Sequence, residues 1–161
     1  IEQRDKEDKR QETRNKLKDT EKKIESTIYE RGIKLPVEFA TFKNRHIEAL
    51  YGGLTTSDLR KKRNIPKNRA LADFDTHVEL KAKDFSLAMT DHNIKSKNLK
   101  GLSQLSNEVS ANSRATRQTL LSRGIKPENL KPEEDLKKIE KKRKREIKTL
   151  NPKNSISTIN P

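Results

Sequence analysis

The scarcity of apolar side chains is the feature that most constrains how this 161-residue chain can fold. Hydrophobic residues make up 29% of the sequence and charged residues 39%, whereas roughly a quarter of the residues in an ordinary globular protein are charged. A chain with so few apolar groups cannot bury a generous core. We therefore predict an all-α fold, an irregular bundle of about five to six helices with a long charged N-terminal helix and a disordered C-terminal tail.

The charge pattern and the apolar pattern of the N-terminal segment change along its length. Residues of opposite charge stand four positions apart at the start, as in Glu12 and Lys16, which favours an exposed helix. Apolar residues at helical spacing begin only later, with Leu17, Ile24 and Ile28. We divide the chain into an exposed charged helical extension (residues 1–16), a single helical domain (residues 17–150) and a flexible tail (residues 151–161).

Capping signals predict where two of the helices begin. Thr55 followed by Asp58, and Thr76 followed by Glu79, have the spacing of capping boxes. The first predicts a short basic helix that ends before Pro66. Behind the second box, residues at helical spacing predict a core seam in which Phe85 and Met89 are buried; the seam comprises Val78, Ala82, Phe85, Met89 and His92.

The predicted helix from Leu102 to Arg123 has an unusually polar middle. Buried polar groups without partners are costly, so these side chains must be paired, hydrated or turned outward. The helix therefore either packs closely through small residues or offers a polar face, with Arg114 and Arg117 beside it, to a partner. The polar residues are Ser106, Asn107, Ser110, Asn112, Ser113 and Thr116.

The positive charge, +14 in total, is concentrated after Thr55 in two clusters. The first basic segment, residues 60–69, contains no acid and includes Arg60, Lys61, Lys62, Arg63, Lys67 and Arg69. It either binds phosphates or forms a solvated basic face. The second basic segment, residues 137–148, includes Lys141 and Arg143. It could also contact nucleic acid, although the helix dipole alone favours cations toward the end of a helix.

Several functional classes find no support in the residues. The absence of cysteine excludes thiol catalysis and disulfides, and no apolar run is long enough for a membrane span or a signal peptide. The histidines are not spaced as metal ligands, and Asp73, Asp75 and Glu79 are not forced together as the carboxylates of a nuclease. We predict no enzymatic activity, no metal and no cofactor.

Five ordered segments of the sequence resemble a known family. They are Val37 to Asn44, Leu50-Tyr51-Gly52-Gly53-Leu54, Asp58-Leu59-Arg60-Lys61-Lys62-Arg63-Asn64-Ile65, the stretch from Arg117 through Arg123-Gly124-Ile125-Lys126-Pro127-Glu128-Asn129-Leu130, and Pro132 to Lys138. Together they resemble the C-terminal region of the DNA-damage-inducible protein D family. The resemblance implies a bacterial cytoplasmic protein of the damage response that normally carries a preceding phage-type regulatory domain. The start at Ile1 without Met likewise predicts a piece of a longer protein.

These observations combine into one functional hypothesis with one rival. We predict a non-catalytic module that binds DNA or a DNA-recombinase filament through the basic surface after Thr55 and modulates recombination or repair. In the rival hypothesis, a recombination or replication protein is the partner and DNA affinity is incidental. A homo-oligomerisation arm built on Leu17 to Ile28 is compatible with either hypothesis. The predicted nucleic-acid contacts are Arg60, Lys61, Lys62, Arg63, Lys67, Arg69, Arg114, Arg117, Lys141 and Arg143.

Overall fold

A computed structural model describes residues 1–150, and within them the chain forms six α-helices and two short 3-10 turns. The helices are α1 (Glu2–Glu30), α2 (Pro36–Leu50), α3 (Thr56–Lys62), α4 (His77–Ser96), α5 (Gly101–Ser122) and α6 (Leu136–Leu150). The 3-10 turns are Leu71–Phe74 and Pro127–Asn129. The predicted all-α class is confirmed. The predicted tail, residues 151–161, lies outside the described residues.

Four of the helices enclose the main core. Close backbone contacts join α1 to α4, α4 to α5, and α5 to α2, so α4 lies between two neighbours. Helices α1 and α2 face each other across a cleft. The core they share is aliphatic apart from one aromatic ring, and it comprises Leu17, Ile24, Ile28, Ile33, Phe42, Leu80, Leu87, Ile94, Leu105 and Val109.

Both predicted capping boxes are present. The backbone N–H of Asp58 donates to Thr55 Oγ1 at 3.1 Å, and the Asp58 carboxylate accepts from the Thr55 N–H at 2.9 Å. The same reciprocal pair joins Thr76 and Glu79 at the start of α4. Each box satisfies backbone donors that the first turn of a helix leaves without partners.

Helix α1 packs against the rest of the protein from Arg10 onward, closer to its N-terminus than the sequence predicted. Leu17, Ile24 and Ile28 are buried as expected, but so are Arg10, Thr13 and Arg14, which contradicts an exposed extension over residues 1–16 at these positions. The apolar edge from Leu17 to Ile28 belongs to the main core, where it packs on other helices of the same chain.

The predicted core face of α4 is wrong except at Ala82, which is buried. Phe85 is 60% exposed, and Met89 is only half-buried. The buried face contains Leu80, Leu87 and Ile94, together with polar residues that interrupt its apolar pattern, which are Glu79, Lys83, Ser86, Thr90 and Asp91. Because these polar residues occupy core positions, the apolar spacing alone indicated the wrong side of the helix.

Helix α5 uses its small polar residues to pack inside the bundle. Ser106, Ser113 and Thr116 are buried, and Thr116 Oγ1 lies 2.8 Å from Ser86 Oγ of α4. Ser113 Oγ lies 2.8 Å from His46 Nδ1 of α2. The close-packing alternative is therefore confirmed, and the prediction that these three residues face a partner is wrong.

Candidate nucleic-acid interface

The first basic segment comprises the end of α3 and the turn that follows it. Lys61, Lys62 and Lys67 are exposed, and none of them forms an ion pair within residues 1–150. Arg60 is half-buried, and its guanidinium donates to two carbonyls of the turn, Pro66 O at 3.3 Å and Arg69 O at 2.7 Å. Arg60 thus stabilises the turn that presents the lysines.

Arg63 lies inside the protein, although it is the next residue after Lys62. Its side chain is 2% exposed and forms ion pairs with Asp75, at 3.2 Å, and with Glu79. The guanidinium also approaches the carbonyl of Pro127 at 3.4 Å. The prediction of Arg63 as a nucleic-acid contact is wrong, because its guanidinium is buried and holds two carboxylates.

Arg69 is also engaged internally. Its guanidinium binds both carboxylate oxygens of Asp135, at 2.7 and 2.8 Å, and one oxygen of Asp73 at 2.7 Å. The hydrogen bonds from Arg69 hold the pKa of the Asp135 carboxyl below its ordinary value. Arg69 therefore ties the start of α6 to the 3-10 turn Leu71–Phe74, and its charge is already balanced.

These contacts belong to a buried ion network that the sequence did not predict. Arg14 Nε donates to Asp73 at 3.0 Å, and Lys83 forms an ion pair with Asp75. Arg10 donates to the carbonyls of Asp73, at 3.2 Å, and Asp75, at 3.0 Å. We define the network as five cations and four acids: Arg10, Arg14, Arg63, Arg69 and Lys83 with Asp73, Asp75, Glu79 and Asp135.

Tyr51 connects the network to the end of α2. Its hydroxyl donates to Glu79 Oε1 at 2.9 Å, and burial raises the pKa of this hydroxyl well above its ordinary value. The carboxylates that a nuclease would need are thus occupied by cations and by Tyr51. Among residues 1–150, no group of three or more acids and histidines is arranged to hold a metal ion.

Arg114 and Arg117 occupy different environments on α5. Arg117 pairs with Glu128 at 2.8 Å and donates to the carbonyl of Leu50 at 3.1 Å. The pair packs against Gly52, whose φ is +67° and where an added Cβ would lie 2.5 Å from Glu128 Oε2. Arg114 is exposed and lies at the edge of a shallow depression that Arg45 also lines. Of these two arginines, only Arg114 therefore forms no ion pair with a carboxylate within the described chain.

The second basic segment lies on α6. Arg143 pairs with Asp8 and, at 3.2 Å, with Glu7, which fastens α6 to the start of α1. Lys141 is exposed. Lysines on the same helix are exposed on several sides, so one flat partner could contact only some of them.

None of the three histidines forms an ion pair within residues 1–150. His46 is buried, and burial together with the charge of Lys83 lowers its pKa to about 3. His77 Nδ1 lies 3.3 Å from Thr13 Oγ1 of α1, and His92 is exposed.

The structure divides nine of the ten predicted contacts by residue type, and Arg114 is the exception. Five have internal partners: Arg60, Arg63, Arg69, Arg117 and Arg143. Five are exposed: Lys61, Lys62, Lys67, Lys141 and Arg114. An arginine presents a rigid fork of donors that suits internal carboxylates and carbonyls, whereas lysine is a strongly hydrated point charge. That difference was the one available signal for which cations remain on the surface.

Comparison with known proteins gives a consistent picture. The model of the DinD C-terminal domain family matches residues 4–139. The chain is 28% identical over 129 residues to the DNA damage-inducible protein D of Escherichia coli (strain K12), covering 79% of this chain and 47% of that protein. The chain therefore spans about half the length of this curated relative. No solved structure matches the chain. Within residues 1–150, no helix combines the length and apolar character needed to cross a membrane.

Proposed function

The chain belongs to the DinD C-terminal domain family, and on this basis we propose that it is a non-catalytic module of the bacterial DNA-damage response. In this proposal it binds DNA or a DNA-recombinase filament through exposed lysines and modulates recombination or repair. Its place of action is the cytoplasm, where bacterial DNA lies. The name of its relative from Escherichia coli, a DNA damage-inducible protein, supports the link to DNA damage.

The observation that carries the proposal is that the charges form two groups, the buried ion network and the exposed lysines. The four acids of the buried ion network are held by internal cations. Lys61, Lys62 and Lys67 stand on a stretch, residues 59–72, that contains no acid, and they form no ion pair within the described residues. Their charge therefore remains available for a polyanion.

The chemistry of these residues supports binding to phosphates without reading of the base sequence. Lysine ammonium groups act as point charges and suit phosphate oxygens, whereas base recognition needs side chains placed in a groove. Helix α3 has seven residues and its exposed cations stand at its end and in the next turn. We infer that affinity depends on salt and varies little with DNA sequence.

The test is a salt titration of DNA binding by two charge-matched variants. In the first variant Lys61, Lys62 and Lys67 are changed to Gln. In the second, three exposed lysines elsewhere, Lys22, Lys81 and Lys100, are changed to Gln, so that both variants have the same net charge. Binding to single-stranded DNA, to duplex DNA and to a recombinase filament on single-stranded DNA is measured by fluorescence anisotropy.

The first variant should bind more weakly than the second and show a smaller slope of log affinity against log salt. The slope should fall by about 0.9 for each duplex phosphate that the protein no longer neutralises, and by about 0.7 on single strands. Equal slopes in the two folded variants would exclude this surface as the DNA-binding one. Loss of filament binding with unchanged binding to bare DNA would instead support the rival hypothesis of a protein partner.

A further inference from the structure

The cleft between α1 and α2 contains a cavity of about 240 Å³. It exists because α1 and α2 each pack on other helices and not closely on one another. Its walls are mainly apolar, with Leu17, Ile24 and Ile28 from α1, Phe42 from α2 and Leu87 from α4. A cavity of about 150 Å³ can bind benzene, so this one has room for an aromatic ring with a short substituent.

A buried polar group in the wall has an unused hydrogen-bonding position. His46 lines the cavity and is 6% exposed. Its Nδ1 faces Ser113 Oγ at 2.8 Å, but its Nε2 is fully buried and has no hydrogen-bond partner among the described residues. Buried ring nitrogens of this kind usually have a partner. Nε2 itself has no surface open to the cavity, so the polar contact for a ligand has to come from another group in the wall.

The charges around the cavity favour an anion. Glu21 is held by Arg14 at 3.2 Å, and Glu25 is held by Lys43 at 2.9 Å. Arg60 also lines the cavity, and within residues 1–150 it forms no ion pair with a carboxylate. Lys83 also lines the cavity, but it pairs with Asp75, so the unbalanced positive charge belongs to Arg60. The Nη1 of Arg60 already donates to the carbonyls of Pro66 and Arg69, which leaves its Nε and Nη2 to bind a carboxylate through two parallel hydrogen bonds.

We propose that this cavity binds a small monocarboxylate whose body is a single aromatic ring or a short branched chain. The apolar body lies against Leu17, Phe42 and Leu87, and the carboxylate faces Arg60. A pocket with apolar walls and a few polar groups is the usual form of a small-molecule site. A polyanion such as DNA does not fit this cleft, because the cavity has a volume of about 240 Å³ and mainly apolar walls. The proposal does not depend on DNA binding.

The probe is 3-phenylpropionate, titrated into the full chain by isothermal titration calorimetry. Two related compounds serve as controls: 3-phenylpropionamide, which keeps the ring but lacks the charge, and acetate, which keeps the charge but lacks the ring. We expect saturable binding of 3-phenylpropionate that is about tenfold tighter than that of the amide, and no binding of acetate. Failure of 3-phenylpropionate to bind, or equal binding of the amide, would overturn the proposal.

A pair of substitutions locates the binding in the cavity. Ala72 lines the cavity, and Ala72→Leu should fill part of it and weaken binding at least about tenfold. Ala88→Leu adds the same atoms on the exposed side of α4 and should leave binding unchanged. If Ala72→Leu fails to fold by circular dichroism, Ala70→Leu replaces it, since Ala70 also lines the cavity. Equal binding by the folded cavity variant and the Ala88 variant would refute the assignment.

Variants of Arg60 test whether it binds the carboxylate, and a peptide ligand distinguishes a small molecule from a protein partner. Arg60→Gln should remove the preference for the acid over the amide, whereas Arg60→Lys should retain part of it. An acetylated Glu-Phe-Glu peptide amide is titrated in parallel, because its phenyl group could enter the same cavity. Binding of the peptide without binding of 3-phenylpropionate would overturn the small-molecule assignment in favour of a protein partner. The variant with Gln at Lys61, Lys62 and Lys67 should bind 3-phenylpropionate normally, so failure here and failure of the proposed DNA binding remain distinguishable.

Discussion

Lys62 and Arg63 are adjacent and carry the same charge, yet they belong to two regions with opposite roles. Arg63 is part of the buried ion network, where its side chain is 2% exposed and holds Asp75 and Glu79. Lys62 belongs to the exposed lysines and has no ion pair in the described chain. A chain with 29% hydrophobic residues thus uses part of its charge inside the fold, where other proteins place apolar groups. The density of cations in a sequence therefore does not indicate how many of them face a partner.

The largest expected effect is the loss of a buried cation. Changing Arg63 to Ala leaves Asp75 and Glu79 with one fewer partner in the interior, and breaking a buried ion pair in this way costs about 3 to 5 kcal/mol of folding free energy. Urea unfolding followed by circular dichroism measures the loss. Lys62→Ala is the matched control, and it should change the stability by less than about 0.5 kcal/mol. Similar losses in both variants would erase the distinction between the two regions.

The next largest expected effect is a loss of folding stability at low pH. It arises from His46, whose pKa is lowered by burial and also by Lys83 of the buried ion network. Burial lowers the pKa of His46 to about 3 from an ordinary value of 6.5, so the unfolded chain takes up a proton between these values while the folded chain does not. The stability contributed by neutral His46 is complete above pH 6.5 and is lost as the pH falls toward 3. The slope from this group is about 1.4 kcal/mol per pH unit.

This effect is tested by measuring unfolding free energies between about pH 7 and about pH 4.5. This range lies within about two units of an ordinary histidine pKa. His46→Gln should reduce the pH dependence by the slope of one group, whereas His92→Gln changes an exposed residue and serves as the control. A wild-type slope that survives the His46 substitution would show that other groups account for the acid sensitivity.

The helix boundaries could be predicted because their signals are local. The caps of α3 and α4 lie within four residues of the helix start, and a single side chain satisfies each backbone donor. The exposed lysines were also found, since residues 59–72 contain no acid to neutralise them.

The buried ion network could not be predicted, because its partners are distant in sequence. Arg10 reaches the carbonyl of Asp75 across 65 positions, and Arg69 reaches Asp135 across 66. No periodic pattern in the sequence indicates such a pairing. The same network explains why the buried side of α4 was predicted wrongly, since Glu79 and Lys83 fill buried positions that an apolar pattern assigns to Leu or Phe.

A smaller expected effect distinguishes the two faces of α4. Phe85→Ala should cost less than about 1 kcal/mol, because surface substitutions away from special features have small effects and Phe85 is 60% exposed. Leu87→Ala, two positions away and 5% exposed, should cost about 2 to 5 kcal/mol. Thermal melts of both variants decide which face is the core. The reverse order would restore the seam through Phe85 and Met89.

The smallest expected effect concerns the exposed lysines themselves. Changing Lys61, Lys62 and Lys67 to Gln should alter the unfolding free energy by less than about 0.5 kcal/mol, since these side chains form no ion pair in the part of the chain described. A slight gain is expected at low salt, because removing three charges from a chain of net charge +14 reduces self-repulsion. Urea unfolding at low and at high salt measures both values. A loss comparable to that of Arg63→Ala would mean that the lysines support the fold, and weakened DNA binding by this variant would then report unfolding and not the removal of phosphate-binding groups.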